Sequence, residues 1–366
     1  MDVEKILKKL ISFPTNTQKY DNNIKSFILN LLQDFNKEII DIPDTDERCF
    51  VVKLKAKRGS KKPIAFLCHL DTVIPSNSWA AEPYEAVISR DKVIGLGASD
   101  MKGSIASLIK AIIDLKVLER DIVLIFTSDE ETTVKDIKKV KRTIKLKNSL
   151  IIATEPTSGN LIVGQKGVLE IKVSTFGKSL HASNADFFEN KKNSAIYKML
   201  QVMQEVKNQE KDFSKKVNKN YGASTINMGK IYGGSAVNVM PDKCSLELSY
   251  RLDPQVDIDA YYSQIVSRFK KIDSFMKIEL LLTGGSFDSS KIASVDLIKR
   301  LVEKTQGKAS FEYGKIWSEI AEISRNNICL ILGPGSPLQA HQANEYIDIK
   351  SLRQFCQIYS DMILDA

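Results

Sequence analysis

The sequence predicts an α/β protein in which a mixed-sheet domain is interrupted by an inserted unit of ferredoxin-like βαββαβ order. Three observations carry this. Short continuous apolar runs at 64–68, 122–126, 150–153 and 328–332 have the length and composition of strands buried on both faces. Segments with helical apolar spacing lie between and around them. From 168 to 282 the pattern changes to strand, helix, strand, strand, helix, strand.

Taken in order, residues 2–12 and 21–35 read as helices. The first mixes Asp2, Glu4, Lys5, Lys8 and Lys9 among its apolar residues, the mark of an amphipathic helix and not of a secretion signal. After the strand at 64–68, a helix at 101–118 presents Ile105, Leu108, Ile109, Ile112 and Leu115 on one side. Strands at 122–126 and 150–153 flank a lysine-rich run at 135–147. Its Ile137, Val140, Ile144 and Leu146 suit a solvated helix followed by a turn. The inserted part reads as strand 168–176, helix 192–208, strands 223–231 and 243–252, helix 258–271 and strand 276–282. Helix 293–306, strand 328–332 and helix 349–364 then resume the first pattern. The expected domains are thus 1–167 with 283–366, and 168–282.

A length of 366 residues fits two domains, and 43% hydrophobic with 27% charged residues is ordinary for a folded chain. The net charge of +8 does not point to nucleic acid, because the lysines are dispersed. Their densest run also lacks interleaved aromatic residues to stack on bases. No stretch approaches the roughly 18 apolar residues that span a bilayer, so no membrane partner is expected. Cys49, Cys68, Cys244, Cys329 and Cys356 are odd in number and scattered, which suits a reduced, cytoplasmic setting.

The chemistry gathers at strand ends. The chain has three histidines, His69, His181 and His341. His69 directly follows the run 64–68, and His341 lies in the loop after 328–332. Asp129, Glu130 and Glu131 follow 122–126, Glu155 follows 150–153, and Asp100 precedes a helix. In open α/β sheets ligands bind beyond the carboxyl ends of the strands, so these side chains are expected at one sheet edge. Each also has an ordinary reading on its own: Asp100 as a helix cap, Glu130 and Glu131 as loop charges, His341 as a surface histidine, Glu155-Pro156 as a turn. The ordinary reading must hold at every position at once, which weakens it. Histidines with carboxylates and no paired cysteines suit zinc, or manganese or cobalt. Asp71, two residues from His69 on an extended segment, is placed for its carboxylate to accept a hydrogen bond from the imidazole and orient it.

The segments His69-Leu70-Asp71-Thr72-Val73, Gly95-Leu96-Gly97-Ala98-Ser99-Asp100-Met101-Lys102-Gly103, Ser128-Asp129-Glu130-Glu131 and Glu155-Pro156-Thr157 together resemble the ordered signature of the M20 metallopeptidase family. The family includes acetylornithine deacetylase, succinyl-diaminopimelate desuccinylase, carboxypeptidases and aminoacylases. The resemblance implies a two-zinc catalytic domain carrying an inserted dimerisation domain. It implies one zinc on His69, Asp100 and Glu155 and another on Asp100, Glu131 and His341, with Asp100 bridging and the Asp100–Met101 peptide cis. Glu130, beside a ligand but not one itself, would be the general base. His181 would reach the oxyanion from the partner subunit of a homodimer. Asn238 and Arg251 resemble substrate contacts, with the arginine suited to a carboxylate. Glu319 in Trp317-Ser318-Glu319 resembles a deacetylase Thr-Glu, and could meet a substrate's side-chain amine. The Gly-Gly-Thr-Ser of desuccinylases is missing. The segment from Gly333 to Tyr346, with its Gly-Pro-Gly-Ser, looks most like acetylornithine deacetylase. The implied reaction is hydrolysis of an N-acyl amino acid, N-acetyl-L-ornithine first. Succinyl-diaminopimelate and dipeptides are the alternative substrates, and a non-catalytic scaffold is the alternative of another class.

Overall fold

The computed structural model of the protein describes residues 1–57, 61–184, 191–314 and 317–365. The chain divides into two compact units. One comprises Met1–Gly164, Asp288–Glu312 and Ser318–Ala366; the other comprises Gln165–Phe287 and Tyr313–Trp317.

In the first unit the apolar runs become the centre of a mixed sheet. Its order begins Lys37–Asp41, Phe50–Leu54, Ile122–Thr127, Ile64–His69, Leu150–Ala153, Ile328–Ile331, Leu161–Gln165. The four strands from Ile122–Thr127 to Ile328–Ile331 are mutually parallel, with Ile64 opposite both Ile122 and Leu150, and Leu150 opposite Ile328. Phe50–Leu54 adds antiparallel to Ile122–Thr127, and Lys37–Asp41 antiparallel to Phe50–Leu54. Every residue of Ile64–His69, Ile122–Thr127 and Leu150–Ala153 is buried, which is why these strands read as unbroken apolar runs and not as alternation.

Helix Lys102–Leu115 lies on the connection between the parallel strands Ile64–His69 and Ile122–Thr127 and packs against Val3–Ile11 and Ile349–Asp365. It stops short of the predicted 118 because Lys116 takes a left-handed backbone, φ 56°. In the C-terminal helix, Tyr359 meets Phe66 at 5.7 Å and Phe355 at 5.4 Å, both edge-on. Its hydroxyl donates to the Leu332 carbonyl at 3.1 Å, which ties this helix to the strand end that leads toward His341.

The second unit is a four-stranded antiparallel sheet in the order Thr225–Gly233, Lys243–Leu252, Gly167–Phe176, Lys277–Gly284. With helices Ala195–Ser214 and Ile258–Ile272 this is the ferredoxin-like arrangement. One face of the sheet buries Leu169, Ile171, Leu248 and Tyr250 against Met199, Val202 and Phe269 of the helices. The other face is polar: Lys172 and Lys230 pair with Glu247 at 3.5 and 3.4 Å. The first helix starts later than the predicted 192, because the turn Lys191–Asn193 and an extended Ser194 precede it. It runs on beyond 208 because Gln209 is buried, accepting hydrogen bonds from the hydroxyls of Tyr250 and Tyr261, both at 3.3 Å.

Candidate metal centre

The parallel sheet brings its carboxyl ends into one row, and the first unit assembles its titratable residues there. His69 is the last residue of its strand and 2% exposed. Its Nε2 atom lies 3.0 Å from Asp100 Oδ1 and 3.4 Å from Glu155 Oε2. On the other side, His341 Nε2 lies 2.9 Å from Glu131 Oε1 and 3.6 Å from Asp100 Oδ2. His69, Asp100 and Glu155 form one group that could hold a metal ion; Asp100, Glu131 and His341 form another. The two oxygens of Asp100 face different groups. The Asp100–Met101 peptide is cis. His341 sits at φ 63°, in the left-handed region that a non-glycine residue occupies only when its surroundings hold it there.

Electrostatics fit a cation. Burial raises the pKa of Glu155, with Asp100 and Glu131 adding to it against the pull of His69. Burial and the nearby carboxylates of Glu155, Glu319 and Glu131 push Glu130 well above the ordinary range. Burial opposes the charge on His69, yet Glu155, Asp100 and Asp71 outweigh it and raise its pKa. The hydrogen bond to Glu131 raises His341. Carboxylates this crowded repel one another, and a divalent cation offsets that repulsion. The donors are imidazole and carboxylate with no thiolate, a set suited to zinc, manganese or cobalt.

Asp71 departs from expectation. His69 Nδ1 lies 3.0 Å from the backbone carbonyl oxygen of Asp71, and the carboxylate stands 3.6 Å away, too far for a hydrogen bond. The carboxylate's Oδ2 accepts instead from the Glu131 amide at 3.0 Å. A carbonyl can only accept, so Nδ1 carries a hydrogen, and the orientation it fixes turns Nε2 to the cluster. The imidazole is oriented, but by main chain.

Glu319 is also placed differently. It is 1% exposed and accepts a hydrogen bond from Thr127 Oγ1 at 2.6 Å. Burial raises its pKa well above the usual value. Its carboxylate is closed off inside the unit, in reach of the charges on His69, Asp71 and Glu155, and does not lie open to a substrate amine.

The remaining expected residues lie in the second unit. His181 is exposed and pairs with Val239, and the next residue's amide donates to the Asn238 carbonyl at 2.9 Å, so His181 and Asn238 are neighbours. His181 Nδ1 accepts from the Ser183 amide at 3.3 Å, which leaves Nε2 as the donor. Arg251, opposite Thr225 and Val168, alternates with the buried Tyr250 and Leu252 and so belongs to the polar face of its sheet.

Two buried residues escaped the sequence reading. Glu345 accepts from three backbone amides of the Asp100 loop. Lys102 is fully buried, donates to the Phe13 carbonyl at 2.9 Å, and has its pKa lowered to about 7 by burial. Lys102 lies between Gly95 and Gly103 and Glu345 between Gly333 and Tyr346, and only their burial marks them out.

The sequence profile of peptidase family M20/M25/M40 matches residues 65–365, which includes every residue of the cluster. The chain belongs to this family. Among curated relatives, acetylornithine deacetylase of Buchnera aphidicola (subsp. Acyrthosiphon pisum, strain Tuc7) is 27% identical, covering 94% of this chain and 92% of its own. The succinyl-diaminopimelate desuccinylase of Pelagibacter ubique is 26% identical, covering 98% and 97%. Among solved structures, aminopeptidase PepT of Bacillus cereus superposes with a TM-score of 0.78 at 19% identity, over 99% of this chain and 97% of its own. The YXEP protein of Bacillus subtilis, described as a dinuclear metal-binding M20 peptidase, gives 0.73 at 13% identity over 99% and 96%. As an M20 member the chain is a metal-dependent hydrolase of amide bonds, and its fold is that of the family.

Proposed function

We propose that this M20 hydrolase removes the acyl group from an N-acyl amino acid, with N-acetyl-L-ornithine as its preferred substrate and L-ornithine and acetate as products. One observation carries the reading. Asp100 divides its two oxygens between two donor groups, while Glu130 stands in electrostatic reach of both and belongs to neither. His69, Asp100 and Glu155 would hold one zinc ion and Asp100, Glu131 and His341 the other, with cobalt or manganese as substitutes. Bound there, zinc acts as a Lewis acid on the amide carbonyl and lowers the pKa of water.

The rest falls to the chain's own side chains. Glu130 accepts a proton from the attacking water and delivers it to the amine nitrogen as the C–N bond breaks, so the products are a carboxylate and a free amine. His181 Nε2, free to donate, serves the developing oxyanion across a homodimer. Arg251 clamps the substrate's α-carboxylate and Asn238 adds a polar contact. The dimer reading is supported by the outer strand Thr225–Gly233, which exposes Ile231 (54%) and Tyr232 (60%) along an edge that no other strand pairs among the described residues. No helix among the described residues is long and apolar enough to cross a membrane, and cytoplasmic action is proposed.

The names of the curated relatives support an acylated amino acid over a peptide. The test is a comparison of kcat/KM on zinc-loaded protein. N-acetyl-ornithine is expected to exceed N-succinyl-diaminopimelate and any unmodified dipeptide, chelation to abolish all three activities, and elemental analysis to find two zinc ions per chain. A dipeptide that wins the comparison replaces the deacetylase reading with a peptidase one.

A further inference from the structure

We propose that Glu345 is the positioning residue for Asp100, and that its carboxylate sets the affinity of both metal positions without touching either ion. The inference rests on the reading above that Asp100 serves both.

Asp100 comes from a loop, not from a strand end. Between the strand Lys92–Ile94 and the helix Lys102–Leu115 no regular element holds the main chain, so something else must set where the Asp100 oxygens point. Glu345 is 1% exposed, and both its oxygens are spent on this loop. Oε1 accepts from the amides of Ser99 at 2.6 Å and Asp100 at 2.8 Å, and Oε2 accepts from Gly97 at 2.8 Å. The Glu345 carbonyl takes a fourth bond, from the Gly95 amide at 2.9 Å. Glu345 is itself held in place, since the next residues, Tyr346–Asp348, pair antiparallel with Lys92–Ile94.

Its loop also carries His341. A single buried carboxylate therefore joins the main chain of Asp100 to the segment that supplies a ligand of the second group. A second tie runs in parallel, from Ser99 Oγ to the Ser336 carbonyl at 3.1 Å. The chemistry selects a carboxylate. All three partners of the side chain are N–H donors, so both of its ends must accept. A glutamine keeps one accepting oxygen and turns an NH2 group on a donor.

The test uses the full chain stripped of metal and titrated with Co2+, followed by the visible d–d absorption and by equilibrium dialysis. Wild type is expected to take up two equivalents. In Glu345→Gln both equivalents weaken about tenfold, and in Glu345→Ala up to about 100-fold, with an altered d–d spectrum, the range typical of residues that orient metal ligands. Ile347→Val, on the strand that follows Glu345 and 1% exposed, is the control for a merely structural loss: it lowers the melting temperature of the metal-free protein but leaves cobalt affinity and spectrum as in wild type. Should Glu345→Ala not fold, Glu345→Gln alone decides. If Glu345→Gln binds cobalt with wild-type affinity and spectrum, the positioning role is overturned. If wild type itself binds no cobalt, it is the metal assignment that fails.

Discussion

The backbone carbonyl of Asp71 meets His69 Nδ1 at 3.0 Å while the Asp71 carboxylate accepts from the Glu131 amide at 3.0 Å, so one residue serves both donor groups through different atoms. The division has a consequence for substitution. Asp71→Ala keeps the carbonyl, and with it the orientation of His69, but deprives the Glu131 amide of its acceptor. Metal held by Asp100, Glu131 and His341 is expected to weaken about 10- to 100-fold, while metal held by His69, Asp100 and Glu155 is retained. Equilibrium dialysis against zinc resolves the two equivalents. Selective loss on the His69 side would return the orienting role to the carboxylate.

Glu130 answers to a different measurement. It is not in either donor group, so Glu130→Ala should retain its metal by elemental analysis. Loss of a general base typically costs about 10²–10⁴-fold in rate, and kcat is expected to fall by that much with KM little changed. Normal turnover in this variant would assign the proton transfer to another group.

His181 and Glu130 together test the dimer. His181→Ala and Glu130→Ala protomers are each expected to be nearly inactive. Mixed with subunit exchange, they form hybrids in which one of the two sites has both groups intact. In a two-fold dimer with statistical exchange this restores about a quarter of wild-type activity. No recovery after exchange has been verified by mass spectrometry would remove His181 from the partner's site.

Much of the framework was legible because its signals are local. Strands buried on both faces must be continuously apolar, so 64–68, 122–126 and 150–153 could be found without knowing their neighbours. A parallel sheet then requires their carboxyl ends to face one way, which delivers His69, Glu131 and Glu155 to one edge. The alternation of the inserted unit was equally local, down to the strand Lys243–Leu252. Helix ends were less so: the first helix of that unit continues past 208 because Gln209 finds two tyrosine hydroxyls, a fact of packing and not of period.

The sequence by itself therefore determined the central parallel strands, the helices around them and which strand ends carry donors, because apolar period and strand direction are properties of neighbouring residues. The outer strands Lys37–Asp41, Phe50–Leu54 and Leu161–Gln165 were not legible in it. Only the tertiary structure decided how those donors are held. The Asp71–Glu131 bond joins residues 60 apart, Thr127–Glu319 spans 192 and Asp100–Glu345 spans 245. A carboxylate in a loop looks the same in sequence whether it faces water, a metal ion or a row of buried amides. Which of these it meets depends on what the sheet order brings opposite it, and no local pattern records that.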